Sequence, residues 1–324
     1  LLYAAFMQLR NLFFDLGVLP SKNFSLPSIG VGNLSMGGTG KSVVVTYLIE
    51  LFEKSKSVAT LSRGYGRNTK GLRIASSIDS AVTLGDEPFQ FFLRYPNLQV
   101  IVSENRMMGM EAMQKLNPIP EMVVMDDVMQ HRWVKPKLMI VTTDYKKPYF
   151  NDFILPVGEL RELSSGINRA DMILVTRTPK DLSISQKESY LKNIKTEVPV
   201  FFTGIKYAKG LYQENQIKPK AMLKKGNFIL VTGIADASNL VDYLQEKFSV
   251  FDHLNFPDHH LFSAADVQMI SSRAADKIII TTEKDYGRLS PLLDSDQLYY
   301  LKISLDFIFE QDRIDFDKMV FEIA

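Results

Sequence analysis

A mostly parallel α/β sheet flanked by helices, followed by a smaller second α/β unit, is the fold class that the sequence predicts. Three observations carry it. Short apolar runs, of the kind found in strands covered on both faces, alternate with helical patterns up to about residue 200. The same alternation resumes after about residue 225. Between the two, around residues 198–219, the texture changes to an aromatic stretch in which Gly210 is positioned to turn a long hairpin.

Taken in order, residues 1–19 form the first element. Leu1, Leu2, Ala5, Phe6, Leu9, Leu12, Phe13 and Leu16 recur at three- and four-residue spacings, which is one face of a helix, and Gly17 and Pro20 end the pattern. The residues alone leave two readings open: a helix packed on its own domain, or an interfacial helix lying on a membrane without a basic face. The chain opens on Leu, so a start upstream of it is expected. Strands are expected at 28–32, 58–62, 98–103, 122–126, 138–142 and 172–176, with helices near 41–55, 87–95, 107–116 and 184–194. The second unit reads as strand 228–232, helix 237–247, strand 248–254, helix 264–275, strand 277–281 and strand 298–305, then a short tail. The expected domains are therefore 1–19, 20–200, a hairpin linker 201–225, and 226–324.

Composition excludes several functions. The chain has 324 residues, enough for about two domains, with 38 basic and 37 acidic side chains and a net charge of +1. That balance gives no sign of a nucleic-acid partner. Cysteine is absent, which removes disulfides, thiolate metal sites and a cysteine nucleophile. No apolar run reaches the 18 residues of a membrane span.

The strongest local signal is Gly32-Asn33-Leu34-Ser35-Met36-Gly37-Gly38-Thr39-Gly40-Lys41-Ser42, which follows a strand and opens a helix. Such a loop turns backbone N–H groups toward phosphate oxygens at a helix N-terminus. Lys41 can reach the β- and γ-phosphates, and Ser42 can ligate Mg²⁺. The fold class is thus P-loop NTPase-like. Ser35 stands where the general pattern has Gly, and Met36 where a class of dimerising ATPases carries Lys.

Other chemistry-bearing groups follow strand ends. Asp126 and Asp127 close an apolar run, and one of them can hold Mg²⁺ beside the loop; Gln130 and His131 come next. Arg63 and Arg67 lie on a Gly-rich loop suited to anions. Asp86 and Glu87 open a helix, where Asp86 serves as a cap or as a base. Arg106 follows a strand, and Arg161 and Glu162 lie in a long loop that can form a substrate lip. In the second unit, Asp258, His259 and His260 crowd together; a histidine oriented by a carboxylate can take a proton from a hydroxyl. Thr282-Glu283-Lys284-Asp285 ends another strand, with Lys284 open to a phosphate or to its neighbours.

In combination and in order, these pieces resemble the tetraacyldisaccharide 4'-kinases, the lipid A 4'-kinases of Gram-negative bacteria. The resemblance rests on Gly32-Asn33 with Ser35–Ser42, Leu61 to Arg67, Gly85 to Pro88, Asp126-Asp127 with Gln130-His131-Arg132, Leu160-Arg161-Glu162, Asn168 to Asp171, Phe256 to His260 with Phe262, and Thr282 to Asp285. It implies transfer of the ATP γ-phosphoryl group to the 4'-hydroxyl of a tetraacylated glucosamine disaccharide 1-phosphate. It also implies Mg²⁺, peripheral contact at the cytoplasmic face of the inner membrane through residues 1–19, and no obligate protein partner.

The resemblance assigns ATP to residues 35–42, metal to Ser42, Asp126 and Asp127, and catalysis to Lys41, Asp86 and His259, with His260 as the second candidate histidine. Arg63, Arg67, Glu87, Arg106, Gln130, His131, Arg161 and Glu162 are expected to bind substrate or support the site. Val128 and Met129 depart from the family's usual Gly or Ala then Phe, which implies altered packing. Competing expectations are a kinase for another small acceptor, which leaves the greasy N-terminus unexplained, a non-catalytic nucleotide switch, which leaves Asp86 and His259 unexplained, and a structural membrane-associated protein.

Overall fold

The structure is a computed structural model that describes residues 2–194, 196–213, 216–224, 226–249, 251–293 and 296–323. The chain divides into two units, residues 1–205 with 305–324, and residues 206–304.

Unit 1 begins with helix α1 (Leu2–Asp15), strand β1 (Lys22–Asn23), strand β2 (Ser28–Asn33), helix α2 (Lys41–Phe52) and strand β3 (Val58–Ser62). It continues through β4 (Arg73–Ile74), α3 (Ala81–Leu84), α4 (Asp86–Arg94), β5 (Gln99–Val102), α5 (Arg106–Met113), β6 (Met122–Asp126), β7 (Val134–Lys135), β8 (Leu138–Asp144), β9 (Met172–Thr176), α6 (Ile184–Leu191) and β10 (Val200–Tyr207). The nine-stranded sheet runs β17-β10-β9-β8-β2-β6-β3-β5-β4, where β17 is Ile303–Phe307. Pairings from β10 through β5 are parallel, and β4 is antiparallel to β5. The central strands are fully buried because alternate residues enter two cores. Val123, Met125, Ile173 and Val175 join one, while Met122, Val124, Met172 and Leu174 join the other.

Within unit 2, β11 (Gly210–Gln213), β12 (Gln216–Pro219), β13 (Phe228–Thr232), β14 (Asp252–Asn255), β15 (Ile278–Thr282) and β16 (Leu298–Leu301) form a sheet of order β12-β11-β16-β15-β13-β14. Helices α7 (Ser238–Phe248), α8 (Ala264–Ala274) and α9 (Glu283–Leu289) accompany it.

Four sequence expectations are corrected. Gly210 does not turn the hairpin: it pairs with Pro219 at the open end, and residues 214 and 215, between the strands, lie outside the described residues. A Cβ at Gly210 would stand 2.5 Å from the Ile217 side chain, so close strand approach explains the glycine. Phe248 ends α7 rather than starting a strand, because its ring packs on Phe228 at 5.8 Å. The expected strand 298–305 is two strands in two sheets, β16 and β17. Finally, residues 305–324 belong to unit 1 rather than to the smaller domain, and they end in helix α10 (Glu310–Phe321) instead of a tail. Leu305, Phe316 and Val320 are buried in the core that covers α2 and Phe201, and Asp312 accepts a hydrogen bond from the Phe202 N–H.

Helix α1 is also inside out relative to a soluble amphipathic helix. Leu2, Phe6, Leu9, Leu12, Phe13 and Leu16, the predicted apolar face, are exposed, while Phe14 is buried and Arg10 and Asn11 turn inward. Leu1 lies outside the described residues. No described helix is long and apolar enough to cross a membrane.

Candidate active site

The phosphate loop leaves β2 at Asn33 and enters α2 at Lys41. Gly40 is the N-cap with φ of 78°, and Gly37 has φ of 87°; a side chain at either position would be strained. Buried polar side chains from three strand ends hold this loop. Asn33 is fully buried and donates to the Thr39 hydroxyl at 2.8 Å, which in turn bonds the Thr142 hydroxyl at 2.7 Å. The Thr176 hydroxyl donates to the Thr39 carbonyl at 2.9 Å. A second clamp comes from the long loop: Met36 N–H donates to the Glu159 carbonyl, Arg161 N–H to the Leu34 carbonyl, and Ser35 bridges Leu160. Buried polar residues at strand ends were the available signal, since such groups persist in a core only when partnered.

Lys41 is held at the loop's mouth. Its Nζ donates to Asn33 Oδ1 at 3.1 Å and lies 3.3 Å from Asp127 Oδ1. Arg161 NH1 grips both oxygens of Asp127 at 3.0 and 2.9 Å. Burial pushes the Asp127 carboxyl up, but Lys41 and Arg161 outweigh it and hold it below the usual carboxylate range. The neighbouring Asp126 is the opposite case. It is buried, its Oδ1 has no hydrogen-bond partner, and burial with the Asp127 charge pushes it up to about 7. Glu87 is near enough to add to that rise, and Lys41 and Arg106 oppose it.

Arg106 is fully buried beneath the acidic pair. It donates to the carbonyls of Ser103 and Asp126, and burial pulls its guanidinium down to about 10. Arg67 is braced rather than open: its NH2 donates to Glu104 and to the Gly71 carbonyl, both at 2.6 Å. Arg63 is close enough to Arg106 and His131 to influence both. Asp86 and Glu87 form the first turn of α4, after Gly85 with φ of 94°. His131 is driven down to about 4 by burial and by the cations Arg106, Arg63 and Arg10.

Glu162 is 1% exposed and sits at the centre of a second network. It accepts from Gln130 at 3.0 Å, from Arg169 NH2 at 2.7 Å to each oxygen, and from the Asn11 amide of α1 at 2.8 Å. Gln130 also donates to the Asn33 carbonyl at 2.9 Å and accepts from Arg161 at 3.3 Å. Val128 and Met129, the two departures from the family pattern, are buried against β2. A Cβ at Gly32 would stand 2.5 Å from that of Met129, so strand and loop pack by exclusion of a side chain.

In unit 2 the two histidines are in different situations. The His260 ring stacks on Phe256 at 4.8 Å, meets Phe262 edge-on at 5.1 Å, and bonds Asp266 at 3.0 Å. His259 has φ of 57°, and its ring nitrogens lie 3.3 Å from Lys284 Nζ and 3.4 Å from Arg288 NH2. Asp285, fully buried, explains the strand-end motif: it accepts from the Gly233 N–H at 2.9 Å and from the Thr282 hydroxyl at 2.7 Å, while the Gly233 carbonyl accepts from His259 N–H.

The family model for the tetraacyldisaccharide-1-P 4'-kinase, LpxK, matches residues 1–320. The chain belongs to this family. Its tetraacyldisaccharide 4'-kinase relatives include those of Flavobacterium psychrophilum, 42% identical over 97% of this chain and 92% of the relative, and Flavobacterium johnsoniae, 43% identical over 97% and 93%. The crystal structure of LpxK from Aquifex aeolicus in complex with ATP superposes with a TM-score of 0.81 at 30% identity, covering 99% of this chain and 96% of that one. The fold is therefore that of the P-loop kinases of the tetraacyldisaccharide 4'-kinase family. The residues present fit ATP and Mg²⁺. The open backbone at Gly37 leaves room for phosphate, and the orphaned Asp126 oxygen is a group that a divalent cation would satisfy. Among the described residues no group of three or more acidic or histidine side chains is placed to hold a metal ion.

Proposed function

We propose that the chain transfers the γ-phosphoryl group of ATP to the 4'-hydroxyl of a tetraacyldisaccharide 1-phosphate, giving the bis-phosphorylated lipid A precursor. The observation that carries this reading is the placement of Lys41 between Asn33 and Asp127 at the mouth of the phosphate loop, in a chain of this family. The backbone of residues 35–40 cradles the phosphates, with Ser42 and a strand-end carboxylate, Asp126 or Asp127, assigned to Mg²⁺. When bound, Mg²⁺ would neutralise negative charge on the phosphates. Lys41, released from Asp127 toward the γ-phosphate, offsets charge that develops in transfer, and Arg161 keeps Asp127 ionised and aimed.

Asp86 and His259 are assigned to acceptor deprotonation. Support for His259 over His260 comes from their surroundings: His260 is packed between two aromatic rings and bonded to Asp266, whereas His259 lies 3.6 Å from the Asp258 carboxylate and beside Lys284 and Arg288, cations that suit an anionic substrate. Glu87, Arg63, Arg106, Gln130, His131 and Glu162 are assigned to holding the site together, and Arg67 to bracing its loop. The exposed apolar stripe of α1 is assigned to peripheral contact with the cytoplasmic face of the inner membrane, where the acylated substrate resides. The same stripe disfavours a soluble acceptor.

The test is phosphate transfer from ATP to tetraacyldisaccharide 1-phosphate in detergent micelles. The wild-type chain should label the lipid, and Lys41→Ala should lose about 100-fold or more of the turnover. Folded, ATP-binding protein that labels no lipid would refute the acceptor assignment.

A further inference from the structure

Residue Arg177 follows the last residue of β9 and was not singled out by any motif. Its φ is 53°, in the left-handed region that a non-glycine residue adopts at a cost. Its NH1 donates to Asp144 Oδ2 at 2.9 Å. Asp144 is itself buried and fixed, because its other oxygen accepts from the N–H groups of Lys146 and Lys147 at 2.7 and 3.1 Å. The guanidinium is thereby anchored by one edge. Its NH2 takes no hydrogen bond among the described residues and stands 3.6 Å from where a Cβ on Gly38 would lie. The adjoining Thr176 holds the loop from the same side, through its hydroxyl to the Thr39 carbonyl and its methyl 3.3 Å from a Cβ position on Gly40.

The position is complementary to that of Lys41. In the sheet order, β9 and β6 lie on opposite sides of β2. Lys41 is braced by Asp127 from the β6 side, and Arg177 is braced by Asp144 and projects onto Gly38 from the β8–β9 side. A glycine loop so bordered presents two cations to one polyanion.

We propose that Arg177 is a nucleotide-contacting residue, whose free guanidinium edge hydrogen-bonds phosphate oxygens of ATP on the Gly38 side of the loop. The proposal rests on the assignment of this loop to ATP. Backbone strain at residue 177 is then offset by affinity for the nucleotide, and Asp144 is the residue that positions the guanidinium. Arginine suits this place better than lysine because one edge can stay on the carboxylate while the other meets phosphate.

The experiment measures equilibrium binding of MgATP, MgADP and adenosine by calorimetry, without lipid, alongside thermal unfolding. Arg177→Gly relieves the left-handed strain but removes the ion-pair partner of buried Asp144, so its unfolding midpoint should stay close to that of the wild type. Its MgATP and MgADP dissociation constants should nevertheless rise about tenfold, the loss of one charge-assisted hydrogen bond, with adenosine binding unchanged. Asp144→Asn should weaken MgATP less, and Arg177→Lys should recover part of the loss. Unchanged MgATP affinity in Arg177→Gly would overturn the proposal, as would an equal loss for adenosine, which would place the contact on the nucleoside. Wild-type protein that binds no MgATP would instead overturn the assignment of the loop.

Discussion

Asn11 of helix α1 donates its side-chain amide to Glu162 across 2.8 Å, which ties the N-terminal helix to the residue that also receives Gln130 and Arg169. Gln130 and Arg161 continue the connection to Asp127, and Asp127 to Lys41. The polar side of α1 therefore seats the helix on the site, and its apolar side is left outward. Removing the amide should cost the site its alignment more than its nucleotide. Asn11→Ala is expected to lower turnover about three- to tenfold, the worth of one hydrogen bond to a charged group, with the ATP KM within twofold of wild type. Steady-state kinetics in micelles would decide it; an unchanged turnover would mean that the link is only structural.

The outward stripe gives a separate prediction. Phe6 and Leu9 are 66% and 51% exposed, so Phe6→Asp with Leu9→Asp should leave folding intact. Partitioning onto phospholipid vesicles should fall about 100-fold or more, since each buried apolar side chain contributes roughly 1.5–3 kcal/mol. Flotation of the wild type and the double variant measures this. Equal flotation would remove α1 as the contact.

For Asp126 the expected pH dependence follows from a folded pKa of about 7 against the ordinary carboxylate value near 4. The folded protein binds the proton more tightly than the unfolded chain. Stability is thus undiminished below pH 4 and is lost as pH rises through 7, by about 4 kcal/mol at most. Asp126→Asn should abolish that slope, becoming the more stable protein by pH 8 while losing kinase activity. Denaturation midpoints of the ligand-free proteins between pH 5 and 8 are the check.

His131 has the opposite sign. Its folded pKa of about 4 lies below the free value near 6.5, so the unfolded chain takes the proton first as pH falls. The penalty starts near pH 6.5 and reaches about 2 kcal/mol at pH 5. The ring should show no titration by NMR between pH 5.5 and 8, and His131→Gln should lose less stability than wild type over the same range.

Asp285 is expected to matter through Gly233. Asp285→Ala leaves the buried Gly233 N–H and Thr282 hydroxyl without their acceptor, at a cost of about 2–4 kcal/mol. It also loosens the carbonyl that receives His259 N–H, so turnover should drop while MgATP affinity holds. Unfolding curves with kinetics separate the two effects. A stable variant with full turnover would contradict the role.

What the sequence determined by itself is local or periodic. Apolar runs located β3, β6, β9 and β13, because a strand covered on both faces must be continuously apolar. Spacing located the phosphate loop, because glycines just before Lys41 at a helix start supply the positive φ values that a phosphate cradle needs. Tertiary structure alone decided what depends on partners distant in the chain. The outward turn of α1 is one case: apolar periodicity marks a face but says nothing of what covers it, and half-buried bonds from Asn11 to Glu162 and from Arg10 to the Gln130 carbonyl turned the polar side inward. The return of residues 305–324 to unit 1 is another, since one run of apolar residues splits between two sheets at Lys302 without any local signal. The bracing role of Asn33, and Thr142, Thr176 and Arg177 altogether, escaped for the same reason. Each is an ordinary residue at the end of an apolar strand, and only the pairing of β2, β8 and β9 brings them around one loop.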